Sequence, residues 1–220
     1  MNELEAISAR HSVRQYLEKP IENDVRQKLQ AVVDEANREG GLSMQLLFDE
    51  PKCFDNLIAH YGSFRNVSNY LAIVGADTPD LDRKAGYYGE KVVLAAQMMG
   101  LNSCWVAMSH GKTKARIEKG ERLAIVIALG YGATQGRPHK SKPLEKLYST
   151  DLASQDQIPQ WFMDGMKAAQ LAPTAINQQK FRFTLANGQV SATTGAGPCA
   201  NIDLGIASYH FEVASGHKVG

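Results

Sequence analysis

The chain has 220 residues, with 24 Lys+Arg against 23 Asp+Glu for a net charge of +1. That length buries a core without disulfide or metal staples and fits one or two domains, while the balanced charge gives no electrostatic case for nucleic acid or an anionic membrane. No apolar run reaches the roughly 18 residues of a spanning helix. The acidic, amphipathic start MNELEAISAR lacks the apolar centre of a signal peptide. Cys53, Cys104 and Cys199 are odd in number, widely spaced, and form no zinc spacing with the six histidines. They suit a reducing, cytoplasmic setting.

Leu4–Ala9 is predicted as a short helix with Leu4, Ala6 and Ile7 facing inward. Arg10-His11-Ser12-Val13-Arg14 follows. If this segment is extended, Arg10, Ser12 and Arg14 share one side and His11 and Val13 the other. Two guanidiniums around a hydroxyl suit a phosphate group, and a solvated basic turn is the other reading. A helix over about Asp24–Arg38 carries Val25, Leu29, Val32, Val33 and Ala36 at helical spacing and stops at Gly40-Gly41. Ser43–Asp49 reads as a short strand. Cys53–Tyr61 reads as a helix, and Tyr70–Ala76 as a buried strand. Leu81–Met99 is a long helix ended by Gly100. Asn102–Ala107 and Leu123–Leu129 are two more strands, and the apolar, β-branched LAIVIAL is expected in mid-sheet.

The glycines of Gly130–Gly136 lack dinucleotide-fingerprint spacing, and Arg137-Pro138-His139-Lys140 follows them in place of a helix. Lys140-Ser141-Lys142-Pro143 is a basic patch, either solvated or a second phosphate anchor. Ser149–Pro159 reads as a linker and Pro159–Leu171 as a helix. Pro173 then disfavours helix at Ala172, opening the loop LAPTAINQQKF. Thr174 and Asn177 in that loop offer the hydroxyl and amide that the edge of a heteroaromatic ring requires; a plain polar connection is the alternative. Phe181–Ala186 is a strand, Asn187-Gly188 a hairpin turn, Gln189–Thr193 the returning strand, and Asn201–Ser215 the last helix.

Ala31–Phe48 echoes Met166–Phe183, and Tyr87–Gly100 echoes Asp203–Gly216. The echo suggests a degenerate tandem duplication, with 1–148 the fuller half and 149–220 a trimmed one that completes the site. Chance alignment of amphipathic helices is the alternative.

These residues carry a resemblance. RHSVRQY at Arg10–Tyr16 is similar to the RxSxR opening of the FMN-dependent nitroreductase/flavin reductase family. LAPTAINQQKF at Leu171–Phe181 resembles that family's APSxxNxQPW loop. LNSCWVA at Leu101–Ala107, ALGYG at Ala128–Gly132 and Lys140-Ser141-Lys142 resemble its CW strand, penultimate strand and late basic anchor. The order departs from the family, because its early loop position here holds NREGGLSMQLLF at Asn37–Phe48 and the loop pattern comes late. The chain thus resembles the family's homodimer folded into one polypeptide, a single-chain branch of it.

The resemblance implies an α+β fold: a central, mostly antiparallel sheet wrapped by helices, with an internal pseudo-two-fold. Periodicity alone gives only mixed helix and strand. The resemblance also implies FMN as cofactor and NADH or NADPH as reductant, with a nitroaromatic, quinone or similar acceptor. It places Arg10, Ser12, Lys140 and Lys142 at the phosphate and Arg14 near the reduced ring. Pro173, Thr174 and Asn177 would line the ring, His11 would cap or stack, and Asn66 (or Asn69) would lie near the flavin. No nucleophile or metal cluster is visible, so no side chain is assigned a covalent role. A monomer is expected, with a homodimer as the alternative. A flavin binder without turnover, or a fold relic serving as an interaction module, are the rival readings of the same residues.

Overall fold

The structure is a computed structural model and describes residues 1–55, 59 and 62–220. Most of the predicted helix Cys53–Tyr61 lies outside the described residues; within them, Pro51–Cys53 forms a 3-10 turn. Five α-helices are described: α1 (Glu3–Ala9), α2 (Asn23–Gly40), α3 (Leu81–Met98), α4 (Gln160–Gln170) and α5 (Ala200–Ser215). Seven strands accompany them: β1 (Gln45–Leu47), β2 (Asn69–Ala76), β3 (Asn102–Val106), β4 (Glu121–Gly130), β5 (Tyr148–Thr150), β6 (Phe181–Ala186) and β7 (Gln189–Thr194).

The larger sheet has the order β1-β2-β4-β3 and is antiparallel throughout, so the apolar β4 is interior, as expected of LAIVIAL. The register sets Tyr70 opposite Ala128, Leu71 opposite Ile127 and Ala72 opposite Val126. Side chains alternate between faces. Leu71, Ile73, Ile125, Ile127 and Leu129 meet Leu29 and Val33 of α2 and Val92, Val93 and Ala96 of α3. Tyr70, Ala72, Cys104, Val126 and Ala128 meet Val13 and Tyr16 of the N-terminal strap. That strap is extended: Ser12 bridges Ser103 in parallel, and the Val13 amide donates to the Ser103 carbonyl at 3.0 Å. The smaller sheet, β5-β6-β7, turns Phe181, Phe183 and Leu185 toward the helices, and Phe183 stacks on Phe211 of α5 with centroids 4.9 Å apart. Asn187 and Gly188 at its hairpin both have positive φ, 51° and 73°, as a type I′ turn requires.

Helices α3 and α5 cross closely because each is bare where they meet. A Cβ on Gly86 would overlap the Ile202 carbonyl, and one on Gly205 would overlap the Arg83 carbonyl. The glycines that end both helices, Gly100 and Gly216, are left-handed, with φ of 83° and 70°.

Three expectations need correction. Leu4 is 50% exposed, because the inward stripe of α1 runs through Ala6 and Ile7 to Arg10 and leaves Leu4 outside. The strand over Ser43–Asp49 shortens to Gln45–Leu47. The Asn37 amide bonds both the N–H and the carbonyl of Met44, and Asp49 turns to φ 54°. The Ser149–Pro159 linker contains the end of β5, paired in parallel with β6 from Tyr148 opposite Phe183 to Thr150 opposite Leu185, and a 3-10 turn at Gln155–Gln157. Its three-residue strand is stabilised by pairing with β6, a tertiary effect that local propensity does not carry.

Candidate active site

A cavity of about 530 Å³ opens where the two ends of the chain meet. The strap contributes Arg14. The end of β3 contributes Trp105 and Val106, and Met108 follows. The late loop contributes Pro173, Thr174, Ala175 and Ile176, α5 contributes Ile202, Asp203 and Ile206, and Cys199 just before α5 joins them. Phe64 completes an apolar, partly aromatic wall with few polar groups, the usual character of a small-molecule site. Arg14 and Pro173-Thr174, far apart in sequence, are therefore brought to one hollow.

The late loop takes its shape from hydrogen bonds to its neighbours. Helix α4 stops at Gln170, and the Leu171 and Ala172 amides close its last turn on the Ala168 and Ala169 carbonyls at 3.0 Å each. Beyond Pro173, Ile176, Asn177 and Gln179 all have positive φ, at 47°, 56° and 43°. For the β-branched Ile176 this is a strained conformation. Two clamps hold it. On one side the Asp203 carboxylate accepts from the Ala175 amide at 3.0 Å and from Gln178 Nε2 at 2.7 Å. On the other, Lys142 Nζ donates to the Gln178 and Gln179 carbonyls at 2.8 Å each, and the Asn177 and Gln179 side-chain amides donate to the Lys140 carbonyl at 2.9 Å each. Burial pushes the Asp203 carboxyl up to about 6, against the two donors that favour its charge. Burial likewise raises the Cys199 thiol, so it is a poor nucleophile at neutral pH.

Beneath the strap lies a charged cluster. Arg10 is 3% exposed and its Nε sits 3.7 Å from Glu90 Oε1, beyond hydrogen-bond distance. Glu90 of α3 is fully buried; its Oε2 accepts from the Trp105 indole at 3.0 Å, and its Oε1 lies 2.9 Å from Nε2 of the fully buried His210 of α5. The Nε and Nη1 of Arg10 are buried without a hydrogen-bond partner. The Glu90 carboxylate is therefore the ion-pair partner of the guanidinium without hydrogen-bonding either of these nitrogens. Burial lowers His11 and His139, with the Arg10 charge contributing at both.

The expected site residues thus fall into groups. Arg14, Pro173 and Thr174 line the cavity, although the Thr174 hydroxyl also accepts from the Gln179 amide at 3.1 Å. Arg10 lies in the buried cluster, while Ser12 and half-buried His11 lie on the strap. Lys142 and Asn177 bond the loop and its neighbour, and Lys140 receives them through its carbonyl. Asn66 stands apart: it lines a different hollow with Gln15 and Arg65, and its Nδ2 donates to the Tyr16 carbonyl at 3.3 Å. Asn69 is buried and accepts from the Asp49 amide at 3.2 Å. Sequence reasoning missed Glu90, Asp203 and His210. Their signal is a charged or imidazole group in line with a helix's apolar stripe, as with Glu90 between Gly86 and Val93-Leu94. Among the described residues no group of three or more His, Cys, Asp or Glu could hold a metal ion, and no helix is long and apolar enough to cross a membrane.

Comparisons with known proteins place this architecture. Its fold matches that of a protein described as a "putative nitroreductase" from Thermotoga maritima, with TM-score 0.70 and 21% identity over 97% of this chain and 83% of that one. A "putative nitroreductase in complex with FMN" from Desulfovibrio desulfuricans matches with TM-score 0.56 and 20% identity, over 72% of this chain and 99% of that one. A "putative NADH dehydrogenase/NAD(P)H nitroreductase" from Parabacteroides distasonis matches with TM-score 0.52 and 20% identity, over 66% and 96%. At these identities the likeness is one of fold: helices around an antiparallel sheet, as expected. No protein of curated function matches the sequence. The family model described as "Putative TM nitroreductase" matches residues 2–215, and the chain belongs to that nitroreductase family.

Proposed function

We propose that this chain is a flavin-dependent oxidoreductase of the nitroreductase type, with FMN as cofactor and NADH or NADPH as reductant. The observation that carries the reading is the meeting of Arg14 with Pro173-Thr174 at one apolar cavity, on a strap that also carries the buried Arg10, whose Nε and Nη1 have no hydrogen-bond partner. The apolar, partly aromatic lining with one arginine suits a planar ring, and Arg10 with Ser12 on the same strap would be the holder of its anionic tail. When bound, FMN would supply two-electron chemistry, taking hydride from the nicotinamide and passing it to a nitroaromatic, quinone or similar acceptor.

The chain's own residues bind, orient and exclude water. Arg14 brings positive charge to the cavity, where it would stabilise a ring that gains negative charge. Trp105, Phe64, Ile202 and Ile206 make the walls apolar. Pro173 and Thr174 present the late loop, and Asp203 and Lys142 hold its shape. Arg10 and Ser12, with His11 beside them, would take the phosphate. Lys142 acts as a clamp on the loop in this reading, and Asn66 and Asn177 have structural roles. We read 1–148 and 149–220 as unequal copies of one unit, so that a single chain would build a site from both.

The test is the visible spectrum of purified protein with and without FMN, followed by anaerobic addition of NADH or NADPH. A flavin spectrum that bleaches with reductant is expected. A yellow protein that never bleaches would reduce the assignment to a flavin binder. A protein that leaves added FMN unchanged would remove the flavin reading and favour an interaction module.

A further inference from the structure

A hollow of about 430 Å³ lies between the start of α3 and the second half of α5, and it shares no lining residue with the cavity described above. Asp80, Arg83, Lys84, Tyr87 and Tyr88 come from the first element, Ser208 and Glu212 from the second, and Lys218, Val219 and Gly220 complete it. Its walls are held by hydrogen bonds. The Tyr87 hydroxyl donates to Glu212 Oε2 at 2.7 Å, Lys218 Nζ donates to the same oxygen at 2.6 Å, and the Val219 amide donates to Oε1 at 3.0 Å. The Gly220 amide donates to the Val190 carbonyl at 2.9 Å. The Tyr87 ring meets the Tyr88 and Tyr209 rings edge-on, with centroids 5.1 Å apart in each pair.

Two polar groups of this lining are left over. Ser208 is its most buried residue, 2% exposed, and the hydroxyl has no hydrogen-bond partner. A hydroxyl taken out of water without a partner costs free energy. Arg83 is the other. Asp80 pairs with Lys84 at 2.8 Å and Glu212 with Lys218 at 2.6 Å, and among the described residues no side-chain carboxylate lies in ion-pair range of Arg83. One of its guanidinium nitrogens reaches the Gly220 backbone oxygen at 3.4 Å, a long contact that leaves most of the planar fork free. The two groups are neighbours across the helix crossing, since Gly205, one turn before Ser208, packs on the Arg83 backbone. A guanidinium fork matches a carboxylate, and aromatic edges suit the face of a flat ring.

We propose that this hollow binds a small aromatic carboxylate, with Arg83 and Ser208 donating to the carboxylate and the ring lying against Tyr87 and Tyr88. The site is independent of the flavin reading and stands or falls without it.

The experiment is isothermal titration of the full chain with benzoate, benzamide and inorganic phosphate at constant ionic strength, with amide NMR shifts to locate the binding. Benzoate is expected to bind at millimolar concentration, with uncharged benzamide and ringless phosphate about tenfold weaker or more. Its shifts should fall on Arg83, Ser208, Val219 and Gly220, not on Arg14 and Thr174. Arg83→Gln should weaken benzoate about tenfold or more. Ser208→Ala should weaken it severalfold, yet leave the Tm without ligand unchanged or higher, because it removes a buried hydroxyl that has no partner. A merely structural serine would lower the Tm. No benzoate binding at millimolar concentration, shifts confined to the first cavity, or full affinity in Arg83→Gln would overturn the proposal. Phosphate binding as tightly as benzoate would overturn the aromatic class and leave a plain anion site.

Discussion

Two basic segments were expected to grip the same phosphate, and they differ in what their nitrogens are doing. Arg10 is almost wholly buried, yet two of its nitrogens have no hydrogen-bond partner, with the Glu90 carboxylate 3.7 Å from Nε. Lys142 is exposed, yet its ammonium is already engaged by two loop carbonyls at 2.8 Å each. Sequence gives the two equal standing as cations. The structure separates them by donor availability: a ligand site needs donors that folding has left unsatisfied, and a clamp needs donors that folding has satisfied.

The largest effect should come from exchanging these roles. Arg10→Met keeps much of the volume and removes the unpaired buried donors. It should lower FMN affinity more than tenfold. Lys142→Ala should act mainly on stability. It loses two charge-assisted bonds to an exposed loop, which should cost about 1–2 kcal/mol of stability, with a smaller change in affinity. Isothermal titration and thermal melting of the two variants side by side check this. Parallel losses in both would show that the two segments do one job.

The other clamp sharpens the comparison through pH. Asp203 is buried and its carboxyl is pushed up to about 6 from an ordinary 3.8. The folded chain therefore holds this proton at a pH where the unfolded chain has lost it. The stability it contributes is full below about pH 4 and is lost as pH rises through about 6, to a limit of roughly 3 kcal/mol. Asp203→Asn should remove that component. The variant's Tm should exceed that of the wild type at pH 7, and the gap should shrink toward pH 4. Gln178 Oε1, buried without a partner, is available to accept from the new amide. A gap that stays constant with pH would mean that Asp203 does not titrate in this range.

The fold was legible wherever periodicity was long. Helices α2 to α5, the strands Tyr70–Ala76 and Phe181–Ala186 and the Asn187-Gly188 turn fall within a residue or two of their expected bounds. Strand direction was not local information and came from the resemblance. The site was half legible. RHSVR and LAPT were visible as polar punctuation between regular elements, and Arg14, Pro173 and Thr174 do line one cavity. What those side chains bond was invisible, because it depends on partners remote in sequence: Lys142 on residues 36 and 37 positions away, His210 on Glu90 at 120. Glu90, Asp203 and His210 were overlooked because an apolar helical stripe was read for its majority. Their burial is itself the anomaly, since such groups enter a core only when paired.

The smallest expected effect tests whether the strain in the late loop is needed. The strap Arg10–Tyr16 contains no residue of positive φ, whereas the loop has three within Ile176–Gln179. Ile176 is the sharpest case, being β-branched, at φ 47°, and 85% exposed, so its side chain gains almost nothing from burial. Holding a β-branched residue there costs about 1–2 kcal/mol. Ile176→Gly removes the strain but adds freedom to the unfolded chain worth about 0.4–1 kcal/mol. The net expectation is a gain of up to about 1 kcal/mol in stability, measured by denaturant unfolding. Because the Asp203 and Lys142 clamps act on residues either side of 176, they should keep the backbone in place after the change. A loss of stability would show instead that the isoleucine covers the cavity mouth. Weaker flavin affinity in a more stable variant would mean that the strained backbone serves the site, with the two clamps opposing its relaxation.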